Sequence, residues 1–410
     1  MKLLHTSDWH IGRGLCGRKR HEEFVAFLAW LATAIEQHGV NALLVAGDVF
    51  DVSAPSNRAQ EIYYRFLCQV AASPCCRHVV IVAGNHDSPS FLSAPKELLK
   101  ALDVHVIGGA STSLEDEVLE LRDERGAPEL IVCAVPYLRD RDIRVAEAGE
   151  SLEDKERKLV AGIRDHYAAV AALAEQKRQE LGADIPIIGM GHLFAAGGQT
   201  VEGDGVRELY IGSLAHVTAD IFPACFDYLA LGHLHVPQRL RGSETKRYSG
   251  SPLAMGFGEA KQQKSLCLVE FQGTAATVQL LNVPVWQKLE RICGDWRGIE
   301  SRIHELAASG WRGWLEVVYE GEDIIGDLRE RLEAAVNGAG MEILRVKNNR
   351  VINRALGQID ALETLDGLSA HDVFARCLDA HKAPEEQRPE LLAAYQEALS
   401  SLDDDDLQAQ

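Results

Sequence analysis

A chain of 410 residues is longer than one ordinary hydrophobic core serves, which implies two to three domains. With 46% hydrophobic and 25% charged residues it has the composition of a soluble globular protein, and no apolar run approaches the ~20 residues of a membrane span. The formal charge of −19 excludes a surface generally suited to phosphate backbones, so nucleic-acid binding would need a local basic surface or a partner.

The opening Met1-Lys2-Leu3-Leu4-His5 turns polar too early for a secretory signal, and a cytoplasmic location is expected. Nine cysteines are scattered, only Cys75 and Cys76 lie close together, and there is no CxxC pair. Reduced structural thiols are the plain reading.

Five short apolar, β-branched runs each end in small and polar residues. Leu3-Leu4-His5-Thr6 leads into Ser7-Asp8-Trp9-His10, Ala42 to Ala46 into Gly47-Asp48, and Val79 to Ala83 into Gly84-Asn85-His86-Asp87. Ile185 to Met190 leads into Gly191-His192, and Tyr228 to Leu231 into Gly232-His233-Leu234-His235. Continuous apolar runs of this length predict strands buried on both faces. Helix-length segments from Glu22 to Gln37 and from Ala59 to Ala72 separate the first three, so residues 1–283 read as an α/β layered domain. Ligands in such sheets bind beyond the carboxyl ends of the strands, where these Asp, Asn and His residues fall.

Beyond Val283 the pattern predicts strands at Leu289 to Gly294, Trp314 to Tyr319 and Met341 to Lys347, with helices at Trp296 to Ala308 and Asp327 to Ala335. That is a small βαβαβ unit over residues 284–350. Two amphipathic helices are expected within 361–410, carrying Val373, Phe374, Cys377 and Leu378 on one and Leu391, Leu392, Tyr395, Leu399 and Leu402 on the other. So short a pair has little core of its own, and its stripe should pack on its own domain or on a partner protein.

The strand-end residues are all oxygen and nitrogen donors: Asp8, Asp48, Asn85, His10, His192, His233 and His235. That mixture suits Mn²⁺, Fe²⁺ or Zn²⁺ better than a Mg²⁺-only site. Seven ligands exceed one tetrahedral centre but divide between two metals if one carboxylate bridges, and Asp48 is the candidate bridge. Two metals roughly 3.5–4 Å apart clamp a phosphate oxygen and activate a water. His86 follows a ligand without being needed for coordination, which makes it the candidate acid for the leaving oxygen; Asp87 is expected to hold its ring. A lone His at a strand end is more often a hydrogen-bonded loop residue than a ligand. Five such ends together are not explained by turn chemistry.

These motifs, Asp8-x-His10, Gly47-Asp48, Gly84-Asn85-His86-Asp87, Gly191-His192 and Gly232-His233-x-His235, resemble the calcineurin-like metallophosphoesterase superfamily. The resemblance implies a β-sandwich flanked by helices, with Asp8, His10, Asp48 and His235 on one metal and Asp48, Asn85, His192 and His233 on the other. His86 matches the catalytic histidine. Within the superfamily the chain resembles the SbcD family of nuclease subunits through Leu4 to Gly12, Val45 to Asp51, Ala83 to Ser88, Pro136-Tyr137-Leu138-Arg139, Tyr210 to Leu214 and Tyr248 to Pro252. This closer resemblance covers roughly residues 1–285. It implies a manganese-dependent double-strand DNA exonuclease and single-strand endonuclease, working as a homodimer within a heterotetramer with an SbcC-type coiled-coil ATPase. Residues 284–350 would then be a small α+β capping domain beside DNA, and 361–410 would dock the ATPase. One departure is Asp51, where some archaeal and eukaryotic relatives place a second catalytic histidine.

Arg13, Arg18, Lys19 and Arg20 follow the first ligand motif, and Arg139, Arg141 and Arg144 follow Pro136-Tyr137. Beside a phosphodiesterase centre both clusters are candidate backbone contacts. Arg345, Lys347 and Arg350 are a weaker third set. A protein phosphatase or small-molecule phosphodiesterase on the same metal core is the nearest rival, but Val52-Ser53 stands where such phosphatases carry Arg-Gly after the Asp, and Asp87 where they carry Glu. A non-catalytic ATPase scaffold is the rival of another class, and the complete ligand set disfavours it.

Overall fold

Alternate residues of each apolar run face two different cores, which is why the runs are apolar throughout. Along Ala42–Ala46, Leu43 and Val45 pack under helices, whereas Ala42, Leu44 and Ala46 face a second sheet. In a computed structural model the chain divides into two units, Met1–Trp286 and Gln287–Gln410. The structure describes residues 1–144, 150–182, 184–195, 218–321, 323 and 325–348, with Leu378, Arg388 and Tyr395. The Tyr210 to Leu214 motif and, apart from those three positions, the helices expected over 361–410 lie outside the described residues.

The first unit begins with β1 (Lys2–Thr6), the short strands β2 (Gly14–Leu15) and β3 (Arg18–Lys19), and a helix over His21–His38. Next come β4 (Ala42–Ala46), a helix over Asn57–Ala71, β5 (His78–Val82), β6 (Val104–Ile107), β7 (Val118–Arg122) and β8 (Pro128–Ala134). A long helix over Leu152–Leu181 leads to β9 (Ile187–His192), β10 (Tyr228–Gly232), β11 (Gln238–Arg239), β12 (Lys246–Tyr248), β13 (Ser265–Gln272) and β14 (Ala275–Asn282).

Two six-stranded sheets result, ordered β14-β13-β1-β4-β5-β6 and β11-β12-β10-β9-β8-β7. Their centres, β1-β4-β5-β6 and β8-β9-β10-β12, are parallel. The sheets face each other across Leu44, Val80, Val132, Ile188, Met190 and Ala230. Helices cover both outer faces: Phe24, Phe27 and Leu31 pack on the first sheet, Tyr167, Val170 and Ala174 on the second. This is the layered sandwich that the family resemblance implies, with four layers.

A buried polar tie crosses between the sheets. His5 on β1 meets the Tyr228 hydroxyl through Nδ1 at 2.9 Å and the Leu231 carbonyl through Nε2 at 3.2 Å. Burial drives its pKa down to about 3, so the imidazole is neutral and serves as a connector.

The second unit runs β15 (Leu289–Gly294), a helix over Trp296–Ala308, β16 (Gly313–Tyr319), a helix over Leu328–Val336 and β17 (Met341–Asn348). Its strands are parallel in sequence order, as a βαβαβ pattern requires. Asp295 caps the first helix by accepting the Gly298 N–H at 2.8 Å. Ile292, Ile299, Ile303, Leu315, Val317 and Leu332 form its core. Glu316, buried in the central strand, is met by Arg291, Arg345 and Lys347 from both neighbours. Arg345 and Lys347 therefore offset a buried carboxylate, and Arg350 lies outside the described residues. Among the described residues no helix is long and apolar enough to cross a membrane.

The inter-sheet core generates a stability prediction. Ile188→Ala should lower stability by about 2–4 kcal/mol through cavity formation, read from the urea midpoint. Leu280→Ala on the exposed face of β14 should change it by no more than ~0.5 kcal/mol.

Candidate metal centre

The carboxyl ends of β1, β4, β5, β9 and β10 meet at one edge of the sandwich and bring Asp8, His10, Asp48, Asn85, His192, His233 and His235 together. Four of these adopt left-handed backbone: Asp8 at φ 52°, His10 at 47°, Asp48 at 50° and His233 at 101°. Each such non-glycine residue costs of order 1–3 kcal/mol, and the clustering marks a functional constraint. Backbone bonds hold the turns: Asp8 N–H donates to Gly47 C=O, and His10 N–H to Asp48 C=O, both at 2.9 Å.

The second sheet docks closely against these turns. A Cβ on Gly232 would lie 1.8 Å from the Ala46 carbonyl oxygen, and one on Gly84 would lie 2.1 Å from Asp48 Oδ1. Only glycine fits at either position. Across the same gap the Asp8 carboxylate accepts the His233 N–H at 2.9 Å, and His192 Nδ1–H donates to the Ala46 carbonyl at 2.9 Å.

The side chains form overlapping clusters. Asp8, His10 and His235 place ligand atoms within 4.8 Å of one another, as do Asp8, Asp48 and His192, and His10, Asp48 and His86. Asn85 Oδ1 lies 3.0 Å from both His192 Nε2 and His233 Nδ1. Asp48 Oδ2 stands between the clusters, 3.2 Å from His192 Nε2 and 3.6 Å from His10 Nε2. That is the position a bridging oxygen would occupy.

The donor chemistry fits cations. His192 commits its Nδ1–H to a carbonyl, so its Nε2 lone pair confronts two acceptor oxygens, Asp48 Oδ2 and Asn85 Oδ1. His10 and His235 oppose their Nε2 atoms at 3.2 Å while their Nδ1 atoms face carboxylates of Asp51 and Glu259, at 3.3 and 3.5 Å. Convergent lone pairs of this kind call for positive charge between them. A proton answers that demand at His192 when no other cation does: burial opposes charge there, yet Asp48 overrides it and lifts the pKa to about 9. Burial pushes His233 down to about 3, reinforced by His192, which leaves a neutral imidazole suited to coordination.

His86 sits at the partly exposed rim, with its ring edge-on to His10 at 4.8 Å between centroids. Its N–H donates to Asp48 Oδ1 at 2.9 Å, and its Nδ1 meets the Asp51 carbonyl at 2.8 Å. A carbonyl only accepts, so Nδ1 carries the proton of that contact and Nε2 is the ring nitrogen not committed to it. The expectation that Asp87 holds this ring is corrected. The buried Asp87 carboxylate instead accepts backbone N–H groups of Val49, Phe50 and Gly84 at 2.9–3.1 Å, pinning the Asp48 turn to the Asn85 turn. Burial, then the charge of Asp48, raises its pKa to about 6. Asp87 is a positioning residue.

Three participants lie outside the ligand motifs, and of these only Asp51, as a departure from some relatives, stands out in the sequence. Asp51 contacts His10 and Arg13 with its carboxylate and His86 with its carbonyl. Glu259, fully buried, backs His235 and pairs with buried Lys264, whose ammonium also donates to the His235 carbonyl at 2.9 Å. Both carboxylates orient ligand imidazoles from behind.

The basic residues divide. Arg20 is corrected: it is buried, paired with Glu23 at 2.7 Å and donating to the Ala254 carbonyl at 2.8 Å, so it is unavailable to DNA. Arg144 is likewise held by Asp140 and Glu150, and Arg13 lies against Asp51 at 3.1 Å. Arg18 and Lys19 are exposed on the β2–β3 hairpin. Arg139 is half-buried, and Arg141 is 75% exposed beside Asp142. Their segment adjoins the site because Tyr137 N–H donates to the Ala83 carbonyl at 2.8 Å and its ring meets His192 edge-on.

Glu259→Gln should weaken divalent-metal binding by about 10–100-fold by loosening His235, measurable by metal titration of the folded chain.

Residues 1–237 match the family described as calcineurin-like phosphoesterase, and residues 285–382 the family described as type 5 capsule protein repressor C-terminal domain. The SbcD subunit of nuclease SbcCD from Escherichia coli (strain K12) is 34% identical over 410 residues, covering 98% of each chain. The corresponding SbcD subunits from Rhodobacter capsulatus and Bacillus subtilis are 38% identical over 282 residues and 35% over 283. Those alignments cover 67% and 68% of this chain, and 68% of each relative. With the phosphoesterase ligand pattern gathered at one edge and a full-length alignment behind it, the chain belongs to the calcineurin-like phosphoesterases and, within them, to the SbcD family of SbcCD nuclease subunits.

Proposed function

We propose that this chain is a metal-dependent DNA nuclease, a double-strand exonuclease and single-strand or hairpin endonuclease, acting in DNA end processing, recombination and repair in the cytoplasm. The observation that carries the reading is Asp48 Oδ2 standing between the imidazoles of two ligand clusters. Asp8, His10, Asp48 and His235 would hold one divalent ion, and Asp48, Asn85, His192 and His233 the other, with Mn²⁺ as the proposed metal. The mixed nitrogen and oxygen set supports that choice over Mg²⁺. When bound, the pair supplies Lewis acidity to the phosphoryl oxygens and lowers the pKa of the attacking water.

The chain's own residues do the rest. With Nδ1–H committed to the Asp51 carbonyl, His86 in its imidazolium form would deliver the Nε2 proton to the departing sugar oxygen and be left as the neutral Nδ1–H imidazole. The Asp48 contact to the His86 N–H fixes the distance between this acid and the centre. Asp87 keeps the two turns in register behind it. Exposed Arg18 and Lys19, with Arg139 and Arg141, would hold phosphates flanking the scissile bond, independently of sequence. A net charge of −19 makes such local attraction necessary.

The relatives' name speaks of an SbcCD nuclease, and an SbcC-type coiled-coil ATPase is the proposed partner. Residues 361–410 would dock it, the 284–350 unit would cap the DNA, and two copies would form a homodimer within a heterotetramer.

The test is hydrolysis of blunt and hairpin-ended DNA by the purified chain, with and without Mn²⁺ and the ATPase. His86→Ala should lower turnover by about 10²–10⁴-fold while leaving bound metal unchanged. No cleavage by wild type under any of these conditions would sink the reading. Removing residues 365–410 should abolish co-purification with the ATPase without altering metal content; full recovery of the complex would refute the docking role.

A further inference from the structure

The catalytic centre occupies the carboxyl ends of the parallel strands, and a second ligand cluster lies at the opposite ends of β5 and β6. His78 opens β5, Asp103 precedes β6, and His105 is the second residue of β6. The two strands pair in parallel with Val79 opposite Val104 and Val80 opposite His105. Side chains repeat every two residues along a strand, so His78, Asp103 and His105 share one face. Their ligand atoms lie within 4.8 Å of one another, and none belongs to the catalytic clusters.

The decisive feature is His78. It is 8% exposed, and its Nε2 sits 2.8 Å from the Arg122 carbonyl on β7. That carbonyl can only accept, so Nε2 carries the proton and Nδ1 is left as a lone pair. Nδ1 is buried and has no hydrogen-bond partner. A buried unpaired acceptor costs about 1–3 kcal/mol, which a cation would recover. The arrangement also matches the usual state of a ligating histidine, whose other nitrogen donates to a carbonyl. His105 is half-buried; burial and the neighbouring His78 lower its pKa against the opposing charge of Asp103, which favours a neutral imidazole there. Asp103 is exposed and supplies the negative charge and an opening to solvent.

We propose that His78 Nδ1, His105 and the Asp103 carboxylate form a separate binding site for a borderline divalent ion of the Zn²⁺ type, tying the first turns of β5 to edge strand β6. Two imidazoles with one carboxylate select such an ion over Mg²⁺ or Ca²⁺. Its role is structural, because the ligands come from adjacent strands remote from His86 and the Asp48 centre.

The probe is Zn²⁺ itself, with metal per chain counted after equilibrium dialysis of the full-length protein. Wild type should hold one more ion than His105→Ala, and Asp103→Asn, whose side chain tolerates the left-handed backbone at φ 54°, should weaken that ion at least about tenfold. Mn²⁺-dependent hydrolysis should be the same in all three. Equal Zn²⁺ content in wild type and folded His105→Ala would overturn the proposal. Should that variant fail to fold, an unchanged affinity in Asp103→Asn would overturn it instead.

Discussion

The close approach of two strand ends at Ala46 is the constraint on which the rest of the site depends. Its carbonyl accepts from His192 and lies where any side chain on Gly232 would collide. Asp8 reaches across the same gap to the His233 N–H. With that approach made, ligands from both sheets surround one volume. Without it, each sheet would carry an incomplete set, since Asp8, His10, Asp48 and Asn85 belong to one and His192, His233 and His235 to the other.

Carboxylates here act as clamps on backbone amides as much as charges. Asp8 accepts from His233, Asp48 from His86, and Asp87 from Val49, Phe50 and Gly84. Charge-assisted bonds of this type are stronger than neutral ones, and they offset the left-handed conformations that four ligand positions adopt. A set of converging acceptors follows, of the kind that suits a cation. The His78 cluster at the far end of the sheet has a similar design on a smaller scale: a backbone carbonyl fixes one ring nitrogen so that the other is offered.

Electrostatic partners also take up several of the basic residues. Arg20, Arg144, Arg345 and Lys347 are engaged by Glu23, by Asp140 and Glu150, and by buried Glu316. Arg18 and Lys19 remain on the surface of a chain that is otherwise strongly acidic.

Strand and helix positions were legible in the sequence because local patterning specifies them: Ala42–Ala46, Leu289–Gly294 and Trp296–Ala308 match their apolar periodicity. The gathering of Asp8, His10, Asp48, Asn85, His192, His233 and His235 was legible as well, because five buried strands each ending in such residues are not explained by turn chemistry. Long-range packing decided the rest. Nothing local divides five similar strands between two facing sheets, and that division alone makes Asp48 the central oxygen. Adjacency suggested that Asp87 serves His86, but the turn points the carboxylate at three backbone amides and leaves the ring to the Asp51 carbonyl. Arg20 reads as a surface cation and is buried, because helix His21–His38 packs it against Glu23 and the Ala254 carbonyl. Glu259 and Lys264 lie far from any ligand motif and reach His235 only through the fold. Local sequence therefore determined which atoms are available for chemistry, whereas tertiary structure decided which of them meet, because hydrogen bonds and close contacts between distant segments have no local signature.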